Sequence, residues 1–397
     1  MLLMRHLVFI GILIAFMAGI APQAAADDGP DLCQTDQVRI DDQFASGALF
    51  ECQIKGRLIS AIIAPEDEPI NPSPWYSVRI TTKKAGDYTL TLIYKGAKHR
   101  YDPKILKTGA SGWASIDPAL VTVAPDETKV SIKLKLGIET VVVSAQEIMN
   151  SDSYNRWGEN LIKAQPRLSL SQIGQSIKSR PINLYSHKPE GILHPKSVFF
   201  VGRQHPPELT GAFMMRAFME RIFEDQPLSN AFRARFAIHF APNLNPDGVE
   251  AGHWRHNLGS KDLNRDWGPF TQPETKAVDN WLKSQTDPMV LFLDFHSTGK
   301  NVFYTQTDAK DPKGFVRSWL EAAGPKVPSY RFTREPNDGL TQANSKNHMH
   351  GRYSIPTITF ETDDKEDRAV IIEAGRVFAD EMMRLLLAEE EARPSQP

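Results

Sequence analysis

Residues 197–209 read SVFFVGRQHPPEL. Val198, Phe199, Phe200 and Val201 form a short apolar run that stops at Gly202, the pattern of a strand covered on both faces. His205 and Glu208 follow at once, with two prolines between them. An imidazole and a carboxylate three positions apart, just past a buried strand, make either a polar turn or part of a metal site.

Working outward, strand patterns alternate with helix patterns. In ELTGAFMMRAFMERIFED, Leu209, Phe213, Ala217 and Phe218 recur at helical spacing. RFAIHFAPNL reads as a strand, and PETKAVDNWLKSQ as a helix with Pro273 in its first turn. MVLFLDFHS and IPTITFET are apolar strands, and KEDRAVIIEAGRVFADEMMRLLLAEEEA is a long C-terminal helix. This alternation predicts an α/β domain over 151–392 with a mostly parallel or mixed sheet. The tail 393–397 is expected to be disordered. Upstream, WYSVRITT, GDYTLTLIYKG, ALVTVAP, VSIKLKLG and ETVVVSA are short, β-branched and partly alternating. They predict an antiparallel β-sandwich over 27–150, expected mainly to support its neighbour. A partly helical connector is expected from Gln146 to about Pro181.

The N-terminus has a different character. Arg5 and His6 precede an uncharged apolar run, Leu7 to Ile20, followed by Pro22 and Ala24–Ala26. This is the pattern of a cleaved secretory signal over 1–26, and the run is short for a membrane span. The expectation is a periplasmic or secreted protein with no stable membrane insertion after cleavage. Cys33 and Cys52 are the two cysteines; in an exported chain they can form a disulfide, the alternative being two free thiols. The 397 residues carry a formal net charge of −2, which argues against general nucleic-acid binding.

Reactive side chains gather at strand ends, where open α/β sheets bind ligands. His205 and Glu208 form the close pair, and His296 ends an apolar strand; two histidines and one carboxylate make a set that catalytic zinc commonly takes. Each alone also has a bland reading, as a turn residue or a core histidine. The stretch 240–268 holds Asn245, Asp247, Arg255, Asp262, Asn264 and Arg265. Arginine offers a fork of donors that matches a carboxylate, so a metal beside such an arginine describes a site for a substrate with a free C-terminus. Surface ion pairing is the alternative. Glu361 closes an apolar strand, where a carboxylate is costly to bury unless paired or used, for instance as a general base.

Taken in order, HPPE, NPDGV, HWRHN, DLNRDW, DFHS and TFE resemble the M14 zinc metallocarboxypeptidase family over roughly 185–390, most of all its cytosolic-carboxypeptidase branch and bacterial relatives. SPWYSVRI and KHRYDPKI resemble segments of that branch's N-terminal β-sandwich. The resemblance implies a mixed eight-stranded sheet flanked by helices and one zinc ion per chain held by His205, Glu208 and His296. It implies that Arg255 holds the developing oxyanion and that Asn264 and Arg265 grip the terminal carboxylate. It further implies that Asp262 orients an imidazole ligand and that Glu361 is the general base. Lys346 lies near the family's specificity position and would favour an acidic terminal residue. One departure is plain: no tyrosine in NDGLTQANSKNHMHGRYSIPTITFE stands where many members have one closing over substrate, Tyr353 being too near Glu361.

The leading expectation is therefore an exported carboxypeptidase acting on peptides. A zinc amidohydrolase or deacylase acting on N-acyl amino acids or cell-wall peptides is the alternative. A degenerate binding module is opposed by the unsubstituted ligands and Glu361, and an envelope structural protein has only the export signal in its favour.

Overall fold

The computed structural model describes residues 33–339 and 341–392. The signal expected at 1–26 and the tail at 393–397 lie outside these residues.

The eight-stranded sheet is built around four parallel strands. From edge to edge it runs Ser169–Gln175, Pro181–His187, Ala237–Ala241, Ser197–Gly202, Met289–Thr298, Thr357–Asp363, Val302–Thr305 and Thr333–Pro336. The strands from Ala237–Ala241 to Thr357–Asp363 are mutually parallel, so their carboxyl ends share one edge. Their residues are almost continuously buried, as parallel strands covered on both faces require. One covering element is the helix Leu209–Ile222, which packs against the C-terminal helix Arg368–Glu391. Pro273 opens the helix Pro273–Ser284 at its first turn, where a missing N–H costs nothing.

The expected connector differs from what is observed. Its first part is the helix Ser151–Ala164, but Ser169–Gln175 and Pro181–His187 are strands of the sheet. SLSQIGQ lies at the sheet edge and is mostly exposed, so it carries no apolar signature to read.

Residues 33–144 form two further sheets. One runs Cys33–Gln34, Val38–Asp41, Ser77–Thr82, Thr140–Ser144, Lys104–Lys107 and Ala114–Ser115. The other runs Glu51–Lys55, Leu58–Ile63, Gly86–Tyr94, Lys129–Leu136 and Val121–Val123. Pairing is antiparallel except that Leu58–Ile63 runs parallel to Gly86–Tyr94. Alternate residues point inward, and Val38, Ile40, Val78 and Ile80 share one core with Ile59, Leu90, Leu92 and Ile132. Cys33 and Cys52 are disulfide-bonded, tying an edge strand of one sheet to an edge strand of the other. Closing a loop of this size contributes ~3 kcal/mol by the chain-entropy argument.

Candidate active site

His205 and Glu208 are placed by a turn with an unusual entry. Arg203 takes a left-handed conformation, φ 57°, directly after the Ser197–Gly202 strand. Its buried side chain donates from Nε to the Pro206 carbonyl, 2.9 Å, and from Nη1 to Tyr154 Oη, 3.1 Å. The turn is thereby fixed from inside. Glu208 stands at the N-cap of the next helix but makes no side-chain cap bond; its carboxylate is turned to the two imidazoles instead. Gly211 lets that helix approach the Met289–Thr298 strand. A β-carbon there would lie 2.3 Å from the His296 carbonyl oxygen, while Gly211 N donates to Ser297 Oγ, 2.8 Å.

The three residues converge. His205 Nδ1 lies 2.8 Å from Glu208 Oε1, and His296 Nδ1 lies 2.7 Å from Glu208 Oε2. Among the described residues, these three form the group whose ligand atoms are close enough to hold one metal ion. Each imidazole turns its other nitrogen to a further carboxylate: His205 Nε2 to Asp262 Oδ1, 2.9 Å, and His296 Nε2 to Asp294 Oδ2, 2.9 Å. Imidazoles that donate Nε2–H to carboxylates keep the Nδ1 lone pairs for a cation. The charges point the same way, since Glu208, Asp262, Asp294 and Glu361 surround two imidazoles. Burial favours a neutral Glu208, yet His205 and His296 hold its carboxyl well below the usual range. Burial likewise disfavours a charged His296, yet Asp294 and Glu208 hold its imidazolium well above the ordinary value. A divalent ion supplies the positive charge that these groups otherwise draw from protons. Donor types and arrangement both fit zinc.

Glu361 faces His296 across adjacent parallel strands. Its Oε2 is buried without a hydrogen-bond partner. Burial raises its pKa to about 7, with His296 opposing. Glu361 lines a cavity of about 410 Å³ together with His205 and Glu208, and the cavity wall also carries Arg255, Asn264, Arg265 and Lys346. Arg255 Nε donates to Asp262 Oδ2, 2.8 Å, so one carboxylate holds both a candidate ligand and a candidate oxyanion donor. Asn264 Oδ1 accepts from Ser345 N, 2.9 Å, and Arg265 Nη1 donates to the Asn264 carbonyl, 2.7 Å. Lys346 is buried and donates to the Asn337 carbonyl, 2.9 Å. Burial lowers its pKa to about 8 against the opposing pull of Asp338. Thus His205, Glu208, His296, Arg255, Asp262, Asn264, Arg265, Lys346 and Glu361 come to one cleft or its immediate support, whereas Asp247 pairs with Arg180, 2.7 Å, and Asn245 caps its own turn at Gly248 N, 2.9 Å.

Several residues at the cleft were not found from sequence. Asp294 had a signal: two positions before His296 on one strand, it must share the face of that imidazole. Tyr304 lines the cavity from the Val302–Thr305 strand, upstream of the stretch that precedes Glu361. Asn71, Ser73 and Arg100 come from segments connecting the strands of the N-terminal sheets, which were expected mainly to support. Arg100 donates from Nε to Asp364 Oδ2, 2.7 Å, and from Nη1 to Ser73 Oγ, 2.8 Å.

The family model described as zinc carboxypeptidase matches residues 154–376. Mouse cytosolic carboxypeptidase 6 is 31% identical over 159 residues, covering 37% of this chain and 29% of that protein. The human protein of the same name is 30% identical over 192 residues, covering 44% of this chain and 38% of that one. The chain therefore spans well under half the length of these curated relatives. Among solved structures, a metallo-carboxypeptidase from Burkholderia cenocepacia superposes with a TM-score of 0.74 at 16% identity, over 89% of this chain and 100% of that one. One from Pseudomonas aeruginosa gives 0.70 at 19% identity, over 87% and 98%. At these identities the superpositions establish the shared fold, N-terminal sheets included.

Proposed function

The chain belongs to the M14 zinc carboxypeptidase family, and from that premise we propose that it is a zinc-dependent carboxypeptidase that hydrolyses the C-terminal peptide bond of peptides. The observation that carries this reading is the convergence of His205 Nδ1, His296 Nδ1 and the Glu208 carboxylate beside an unpartnered Glu361 oxygen, in a cleft that also holds arginines.

His205, Glu208 and His296 would hold the ion, and Asp262 and Asp294 would keep the imidazoles oriented. Zinc held there would supply Lewis acidity towards the scissile carbonyl and the attacking water. Glu361 takes the proton of that water; a base poised near neutrality can then hand it to the leaving amine. Arg255 donates to the oxygen of the scissile carbonyl as negative charge develops there. Arg265 and Asn264 bind the terminal carboxylate, which limits cleavage to the last peptide bond. The cavity is lined by Arg100, Arg255, Arg265 and Lys346 against Glu208 and Glu361; this excess of cations suits an anionic substrate, with Lys346 facing an acidic terminal side chain.

The expected secretory signal and the Cys33–Cys52 disulfide both support an oxidising compartment, periplasmic or extracellular. Among the described residues no helix is long and apolar enough to cross a membrane.

Zinc content and release of terminal amino acids from a mixed peptide library test the reading, in the parent and in Glu361→Gln. One zinc in each with release by the parent alone is expected. Zinc in both without release, but with hydrolysis of N-acyl amino acids, would instead favour the amidohydrolase reading.

A further inference from the structure

We infer that Glu66, in the connecting segment after the Leu58–Ile63 strand, is a positioning residue for Arg255 and so for transition-state stabilisation. This rests on the reading of Arg255 given above.

Residues 253–257 carry Arg255 and belong to no helix or strand. Their backbone must find partners elsewhere, because buried N–H groups are rarely left unpaired. Three consecutive N–H groups converge on one carboxylate: Trp254 N donates to Glu66 Oε2, 2.7 Å, Arg255 N to Glu66 Oε1, 2.9 Å, and His256 N to Glu66 Oε1, 2.7 Å. Glu66 is nearly buried, and among the described residues no lysine or arginine pairs with it; its nearest basic contact is His253 Nδ1 at 3.9 Å. Its charge is met by peptide dipoles, as in an anion-binding nest. Two neighbouring contacts complete the grip: His256 Nδ1 lies 2.6 Å from Asp67 Oδ1, and Trp254 Nε1 donates to the Trp75 carbonyl, 3.0 Å.

The chain of contacts runs from this nest to the chemistry. Glu66 fixes the backbone at Arg255, Arg255 Nε meets Asp262, and Asp262 meets His205. Two points therefore set the guanidinium, one at its backbone and one at Nε. Removing the backbone anchor leaves Asp262, and with it the metal ligands, in place. The loss should fall on the step in which Arg255 strengthens its hold, the transition state.

Glu66→Gln is the matched variant, because the amide places an N–H donor against a backbone donor. Glu66→Asp, which keeps the charge but shortens the reach, serves if the first does not fold. Both are made in the parent and in Arg255→Ala, and kcat, KM, zinc content and the Ki of a phosphonate peptide analogue are measured. The expected result is a kcat about tenfold lower in the parent background. The phosphonate Ki should rise in proportion, with zinc and KM held. In the Arg255→Ala background the same change should cost less than twofold. Equal losses in both backgrounds, loss of zinc, or no loss at all would overturn the inference. If Arg255→Ala itself leaves kcat unchanged, the reading of Arg255 fails first, and that failure is visible separately.

Discussion

The eight-stranded sheet and the two N-terminal sheets are both rich in strands, yet they serve the cleft in different ways. In the first, parallel strands end on one edge, and His296 and Glu361 sit in register on neighbours. In the second, neighbouring strands mostly alternate in direction, so no common edge collects reactive side chains. These sheets reach the cleft through connecting segments that carry Glu66, Ser73 and Arg100. The difference teaches that parallel strand ends gather chemistry as a group, whereas antiparallel layers lend single residues from their loops.

Four measurements sharpen or break this contrast. The largest effect is expected at the parallel edge: Glu361→Gln should lower kcat/KM by roughly 10³-fold with zinc content unchanged, as removal of a general base does. Retained turnover would move the base elsewhere. Next, Gly211→Ala forces a methyl against the His296 carbonyl. Its zinc affinity should fall by about 10–100-fold, as for other disturbances behind a metal ligand, read by competition with a chelator. An unchanged affinity would show that the close approach of helix and strand does not set the site.

The third effect concerns pH. Lys346 is charged below about 8 and neutral above it, because burial lowers its pKa. The preference for an acidic over a neutral terminal residue, taken as a ratio at each pH so that other titrations cancel, should be full below that value and decline through it. Lys346→Arg should hold the preference to higher pH, since a guanidinium stays charged. A ratio independent of pH in the parent would remove Lys346 from specificity. The smallest effect belongs to the N-terminal sheets. Arg100→Gln should raise KM a few-fold, about 1 kcal/mol for a partly exposed charged contact, on acidic peptides alone and with kcat and zinc unchanged. An equal rise on neutral peptides would make Arg100 a structural partner of Asp364.

Legibility followed the same division. The four central strands announced themselves because both faces are covered, so each carries a mainly apolar stretch. The edge strands Ser169–Gln175 and Thr333–Pro336 did not, because their faces meet solvent and their composition is that of loops. His205, Glu208, His296, Asp262, Arg255 and Glu361 were readable as a constellation, since several reactive types recur at strand ends and in one loop. Asp294 was readable in principle by its two-residue offset from His296. Glu66 and Arg100 were not: one of three carboxylates in APEDEP and a single arginine in AKHRYD look like surface charge. Only the packing of residues far apart in the chain gives them their partners.

The central claim is most directly tested by one pair of substrates. The zinc-loaded full chain is given an acidic-terminated peptide with a free C-terminus and the same peptide amidated, and release of the terminal residue is followed for each. Release from the free peptide with the amide at least about tenfold slower, the cost of a lost charge-assisted contact, is the predicted result. Equal rates on the two, or cleavage inside the chain, would contradict an enzyme that recognises its substrate by the terminal carboxylate.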